Sequence, residues 1–136
     1  MNTLAQQSAR MMPLAFSMIS AGPAAEIGED FQQLDINEFI TNGREGFSAF
    51  EVTGDSMVAH IGPGYLVFVD TWAEPRNGDI VASMINGLTC VKIFERSTRG
   101  LYLISANKKY PPREIRSTDS FHVLGVVRGH LAIYQR

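Results

Sequence analysis

At 136 residues the chain can build one domain with a sizeable core and is too short for two of common size. Hydrophobic residues at 45% and charged residues at 19% are globular proportions, which excludes a disordered chain. A net charge of -2 gives no basic footprint for a phosphate backbone, which argues against direct sequence-specific DNA binding; the single cysteine, Cys90, allows no internal disulfide and fits a reducing, cytoplasmic setting.

Residues 1–30 differ from the rest. They are rich in Gln, Ser, Met and Ala and then run into "SAGPAAEIGED", small residues and turn formers that predict a flexible amino-terminal arm. The apolar stretch from Met11 to Gly22 after Arg10 has features of a weak signal peptide. Pro13, Ser17 and Ser20 interrupt it, however, and no segment reaches the roughly 18 apolar residues of a membrane span. No membrane association is expected. Asp35 followed by Glu38 predicts a capping box that opens a short helix ending near Asn42-Gly43.

From Phe47 onward, β-type runs recur at 47–53, 65–70, 79–85, 88–95, 101–105, 121–127 and 130–135, separated by Gly, Pro, Asn and Asp clusters. Many short strands with this punctuation predict a mainly β fold of twisted, partly closed antiparallel sheets over residues 31–136. The last two runs flank Arg128-Gly129, which predicts a break between them.

"DIVASMI-NG-LTCVKIF" carries Asn86-Gly87 between two apolar runs, the signal for a two-residue type I′ hairpin. The register then pairs Ile85 with Leu88, Ser83 with Cys90 and Val81 with Lys92. Side-chain alternation puts these six residues and Phe94 on one side of the ribbon, where Lys92 is the only charge. A lysine can occupy such a site by snorkelling to the rim. Alternatively it is kept neutral: lowering its pKa from about 10.4 to near 7 or 8 costs roughly 3–5 kcal/mol. A neutral amine can take a proton from a serine hydroxyl.

That serine is Ser56, on the Gly54-Asp55-Ser56-Met57 corner. Turn chemistry alone accounts for a serine there, but a serine on a stiff bend together with a lysine on an apolar ribbon supplies both parts of a serine-lysine dyad. His60, His122 and His130 have no spacing that would build a histidine triad. Three histidines and one cysteine also lack zinc-site spacing, so neither metal nor other cofactor is expected.

The ordered set "GDSM", "GPGYLVFVD", "NGDIVASMINGLTCVKIF" and "DSFHVLGVVRGHLAIYQR" resembles the LexA-type self-cleaving serine peptidases, from about residue 13 to the end. Within them the chain is most similar to the SOS mutagenesis branch. The resemblance implies that Ser56 is the nucleophile and Lys92 the general base, with the backbone N–H groups of Ser56 and Asp55 facing the oxyanion. It also implies a scissile bond between Ala21 and Gly22, where glycine after the cut removes Cβ crowding. With 21 residues ahead of Gly22, no helix-turn-helix domain is expected before the cut. Cleavage would then trim an arm, under the control of a RecA filament on single-stranded DNA. The implied partners are a second copy in a homodimer and a Y-family translesion DNA polymerase of the UmuC type. Three other readings stay open at this stage. They are a phage- or repressor-derived self-cleaving regulator without a DNA-binding half, a signal peptidase, and an exported non-enzymatic β-domain whose segment 11–21 is a signal peptide.

Overall fold

The structure is a computed structural model that describes residues 14–16, 22–23 and 32–134. The chain separates into two compact units, residues 1–43 and residues 44–136. In the first unit, β1 (Leu14–Phe16) pairs antiparallel with β2 (Gln32–Leu34), Leu14 opposite Leu34. Helix α1 (Ile36–Thr41) follows. Asp35 caps it, its carboxylate accepting the Glu38 N–H at 3.2 Å. Asn42 ends it in the left-handed conformation, φ 53°, donating its N–H to the Glu38 carbonyl. The remaining residues expected to form a flexible arm, 1–13, 17–21 and 24–30, lie outside the described residues, and Ala21 is among them.

The second unit is one antiparallel sheet of seven strands: β3 (Phe47–Glu51), β4 (Leu66–Asp70), β5 (Ile80–Ile85), β6 (Leu88–Ser97), β7 (Gly100–Ile104), β8 (Arg113–Ile115) and β9 (Phe121–Leu131). Their order is β3-β4-β9-β5-β6-β7-β8. The mainly β, antiparallel expectation holds. Among the described residues β3 and β8 do not pair with each other, so the sheet is open rather than partly closed.

The predicted hairpin forms in the expected register, with Ile85 opposite Leu88, Ser83 opposite Cys90 and Val81 opposite Lys92. Asn86 and Gly87 both take positive φ, 51° and 83°, as a type I′ turn requires. The predicted break at Arg128-Gly129 is absent; β9 is continuous from Phe121 to Leu131. Phe68 pairs with Gly129 and Val69 with Val127, which leaves Arg128 as the extra residue of a bulge. The bulge brings the Arg128 Nε to 3.5 Å from the buried Asp70 carboxylate, which also binds Arg44 and the Trp72 N–H. Glycine in a strand thus marked a bend within the ladder and not its end. Gly125, in the same strand, is required by space: a Cβ there would lie 2.5 Å from the Asp70 carbonyl oxygen.

Alternation along β5 sends neighbouring residues into different cores. Ala82 joins Val52, Met57, Ile61, Val67 and Val69. Val81 joins Phe94, Leu103 and Val126. The first core lies under the corner that follows β3. The second shares the side of β6 that carries Lys92.

Candidate active site

The Ser56 corner is built from irregular backbone. After β3, the Val52 N–H donates to the Tyr65 carbonyl and the Gly64 N–H to the Val52 carbonyl, so residues 53–63 are closed into a loop at its neck. Gly54 turns the chain with φ 81°, a conformation that costs glycine little. Met57 and Ile61, exposed by only 2% and 1%, are driven into the first core and hold the loop down from below. Their backbones are joined as well, the Ile61 N–H donating to the Met57 carbonyl at 2.8 Å. Ser56 itself is half-buried. Its backbone N–H has no hydrogen-bond acceptor among the described residues.

Lys92 is positioned by ladder geometry. It sits opposite Val81 in the β5–β6 pairing, half-buried on the side of Cys90 and Phe94. Burial pulls its amine below the ordinary lysine range, and the neighbouring Cys90 partly opposes the shift. Nζ donates to Ser105 Oγ at 2.9 Å and lies 5.7 Å from the centre of the Tyr110 ring. Ser56 is not among the hydrogen-bond partners that Lys92 has in this structure.

One loop touches both elements. Residues 105–112, between β7 and β8, begin with Ser105 on Lys92. Ala106 then packs on the first core. Asn107 ties down the corner from two atoms, its backbone N–H donating to the Ser56 carbonyl at 2.9 Å and its Nδ2 to the Asp55 carbonyl at 3.1 Å. Tyr110 completes the strap by donating its hydroxyl to the Asp55 carboxylate. That bond holds the Asp55 carboxyl below its usual range, with Lys109 and the residue's own backbone N–H contributing, and it raises the Tyr110 phenol.

Ser105, Asn107 and Tyr110 are the site residues that sequence reasoning missed. A signal for Ser105 existed: Ile93 pairs with Ile104 and Phe94 with Leu103, so the same register carried one step further sets residue 105 across from Lys92. Asn107 and Tyr110 lie in an irregular loop with no periodic signal.

The other titratable candidates stand apart. His130 stacks on Tyr65, ring centres 5.4 Å apart, and His122 pairs across from Met84. His60 is exposed beyond the corner. Among the described residues no three His, Cys, Asp or Glu side chains are grouped to hold a metal ion, and no helix is long and apolar enough to cross a membrane. Gly22 is exposed in a bend. A hollow of about 110 Å³ is lined by residues 50–53, Ala82, residues 89–91 and Leu124.

Similar chains include proteins named LexA repressor from Desulfatibacillum aliphaticivorans, 34% identical over 87% of this chain and 59% of the relative. Another, from Thermotoga neapolitana, is 36% identical over 82% and 53%. A third, from Thermobifida fusca, is 39% identical over 85% and 45%. The chain therefore spans about half the length of these relatives. The Peptidase S24-like family pattern matches residues 13–128, a range that takes in the Ser56 corner, the Lys92 strand and the loop between β7 and β8. The chain belongs to the Peptidase S24-like family.

Proposed function

We propose that the chain is a self-cleaving serine peptidase of the SOS response that cuts itself between Ala21 and Gly22, with Ser56 as nucleophile and Lys92 as general base. The observation that carries this reading is the loop 105–112, which is bonded at one end to the Lys92 amine and further along to the backbone of Ser56. A lysine whose charge is disfavoured by burial suits proton abstraction. Neutral Lys92 takes the Ser56 hydroxyl proton as Oγ bonds to the Ala21 carbonyl carbon. The C–N bond to Gly22 then breaks, and the lysine returns the proton to the departing Gly22 amine. Water adds to the resulting ester, giving its proton to Lys92, and the Ala21 carboxylate leaves as Ser56 recovers its hydrogen. Oxyanion stabilisation is assigned to the Ser56 N–H, with the Asp55 N–H as a second donor. Because the scissile segment is tethered or offered by a second copy, its effective concentration is high and docking can set the rate.

The finer reading is a UmuD-like role. The processed chain acts as a homodimer and as the accessory subunit of a UmuC-type Y-family polymerase, and cleavage is stimulated by RecA on single-stranded DNA in a cytoplasmic setting. The similarity to proteins named LexA repressor supports a second reading, a self-cleaving regulator derived from such a repressor. Capture of a UmuC-type polymerase by the processed chain separates the two. The activity is tested by incubating purified chain at mildly alkaline pH, or with RecA, ATP and single-stranded DNA, and following intact mass. Wild type yields a product beginning at Gly22, while Ser56→Ala and Lys92→Ala stay whole. Cleavage of Ser56→Ala at the wild-type rate contradicts the assignment.

A further inference from the structure

We infer that Ser105 is a positioning residue for Lys92, its hydroxyl accepting one N–H of the amine and thereby turning the nitrogen lone pair toward the Ser56 corner. The inference rests on the dyad reading above and adds to it a part that the sequence motifs do not contain. Ser105 Oγ is 2.9 Å from Lys92 Nζ, and the serine is only 4% exposed. At that burial an extended peptide cannot reach it, so Ser105 does not compete with Ser56 as the nucleophile.

Geometry explains why a restraint is needed. A lysine amine sits on a flexible four-carbon stem and can point in many directions. The ladder fixes only its Cα. Across from Lys92 on β5 stands Val81, whose side chain offers no polar atom; its nearest neighbours on that side of the ribbon are Cys90, Phe94 and the buried Ser83, whose hydroxyl lies 3.5 Å from the Cys90 sulfur. From the loop between β7 and β8 the amine faces the Tyr110 ring at 5.7 Å; Lys109 lies 5.9 Å from that same ring, and Asp55 is bonded to the ring's hydroxyl. The ring can attract the amine but cannot direct its lone pair, because the attraction to a π face has little angular preference. Ser105 supplies the direction. Its own place is set by the β6–β7 register and by Leu103, a fully buried neighbour two residues earlier.

The test compares side chains of matched shape. Ser105→Thr keeps the hydroxyl and Ser105→Val removes it. Ser105→Ala, which cannot overpack the site, runs beside them in case valine prevents folding. First-order self-cleavage is followed against pH for each variant, with far-ultraviolet circular dichroism confirming the fold. Threonine should keep the wild-type rate and midpoint. Valine and alanine should lower the plateau rate by about 10- to 100-fold, the scale of a misplaced catalytic group. They should also move the midpoint of the rise to lower pH, because an N–H···O bond favours the charged amine and its loss disfavours that form. A wild-type plateau and midpoint in the alanine variant would overturn the inference. So would a lowered plateau with an unmoved midpoint, which a merely structural serine would give. Failure of the underlying dyad looks different: Lys92→Ala would then cleave like wild type whatever stands at position 105.

Discussion

The β5–β6 hairpin and the corner after β3 each carry one half of the proposed dyad, yet they are held by different forces. The hairpin holds Lys92 through a regular ladder closed by Asn86-Gly87, so many equivalent backbone bonds share the task. The corner holds Ser56 through two apolar anchors below, Met57 and Ile61, and a side-chain strap from Asn107 and Tyr110 above. A redundant ladder absorbs the loss of one interaction, whereas a corner with few supports transmits it to the serine. Stability and activity should therefore respond differently to changes in the two regions.

The largest stability effect is expected at the base of the corner. Met57 is buried among Val52, Val67, Val69 and Ala82, and Met57→Ala should destabilise the fold by about 2–5 kcal/mol through lost burial and the cavity left behind. Urea denaturation measures this. Cleavage should fall further than the unfolded fraction accounts for, because the anchor sits next to Ser56. Loss of activity in strict proportion to unfolding would break the distinction between the two regions.

A smaller, sharper contrast comes from Asn107→Ala and Gly87→Ala. Removing the Asn107 amide takes away one of the two donors to the Asp55 carbonyl, which keeps the Val58 N–H at 3.2 Å, at a cost of roughly 0.5–1.5 kcal/mol. Cleavage should slow by up to about 100-fold as the serine loses its register. Gly87→Ala forces an L-residue to φ 83°, costing about 1–2 kcal/mol, but the ladder should keep Lys92 in place and the cleavage rate of folded protein nearly unchanged. Paired melting curves and cleavage rates decide this. The reverse outcome, an inactive Gly87→Ala beside an active Asn107→Ala, would invert the comparison.

The same two regions show what could be read from the sequence. The hairpin was legible to the residue, since Asn-Gly chemistry sets the turn and a period of two then dictates every facing pair. Helix α1 was legible for a similar reason: Asp35 and Asn42 are local signals whose partners lie within four residues. Arg128-Gly129 was misread because a glycine can mark either a turn or a bulge, and the choice depends on β4, some sixty residues away in the chain. The short β8 strand, Arg113–Ile115, carries too few residues to show alternation. At the site, Ser56 and Lys92 stood out by residue type and setting. Asn107 and Tyr110 did not, because they act through long-range bonds from an irregular loop, and such bonds leave no periodic trace; Ser105 was within reach only by carrying the β6–β7 register one step past the strand.

Central to the account is an amine at Lys92 that sheds its proton more readily than an ordinary lysine. Its folded-state pKa is lowered by burial, so the folded state binds the proton less tightly than the unfolded chain does. The resulting contribution to stability is fully present above the unfolded lysine value, about 10.4, and is lost as pH falls through the folded value. The rate of cleavage should rise with pH through that same folded value. The most direct measurement is an NMR titration of the lysine side-chain nitrogen in the uncleavable Ser56→Ala protein, with the Lys92 signal assigned by its disappearance in Ser56→Ala/Lys92→Met. The expected Lys92 midpoint lies below the ordinary lysine value of about 10.4. A Lys92 midpoint at or above that value would contradict the dyad.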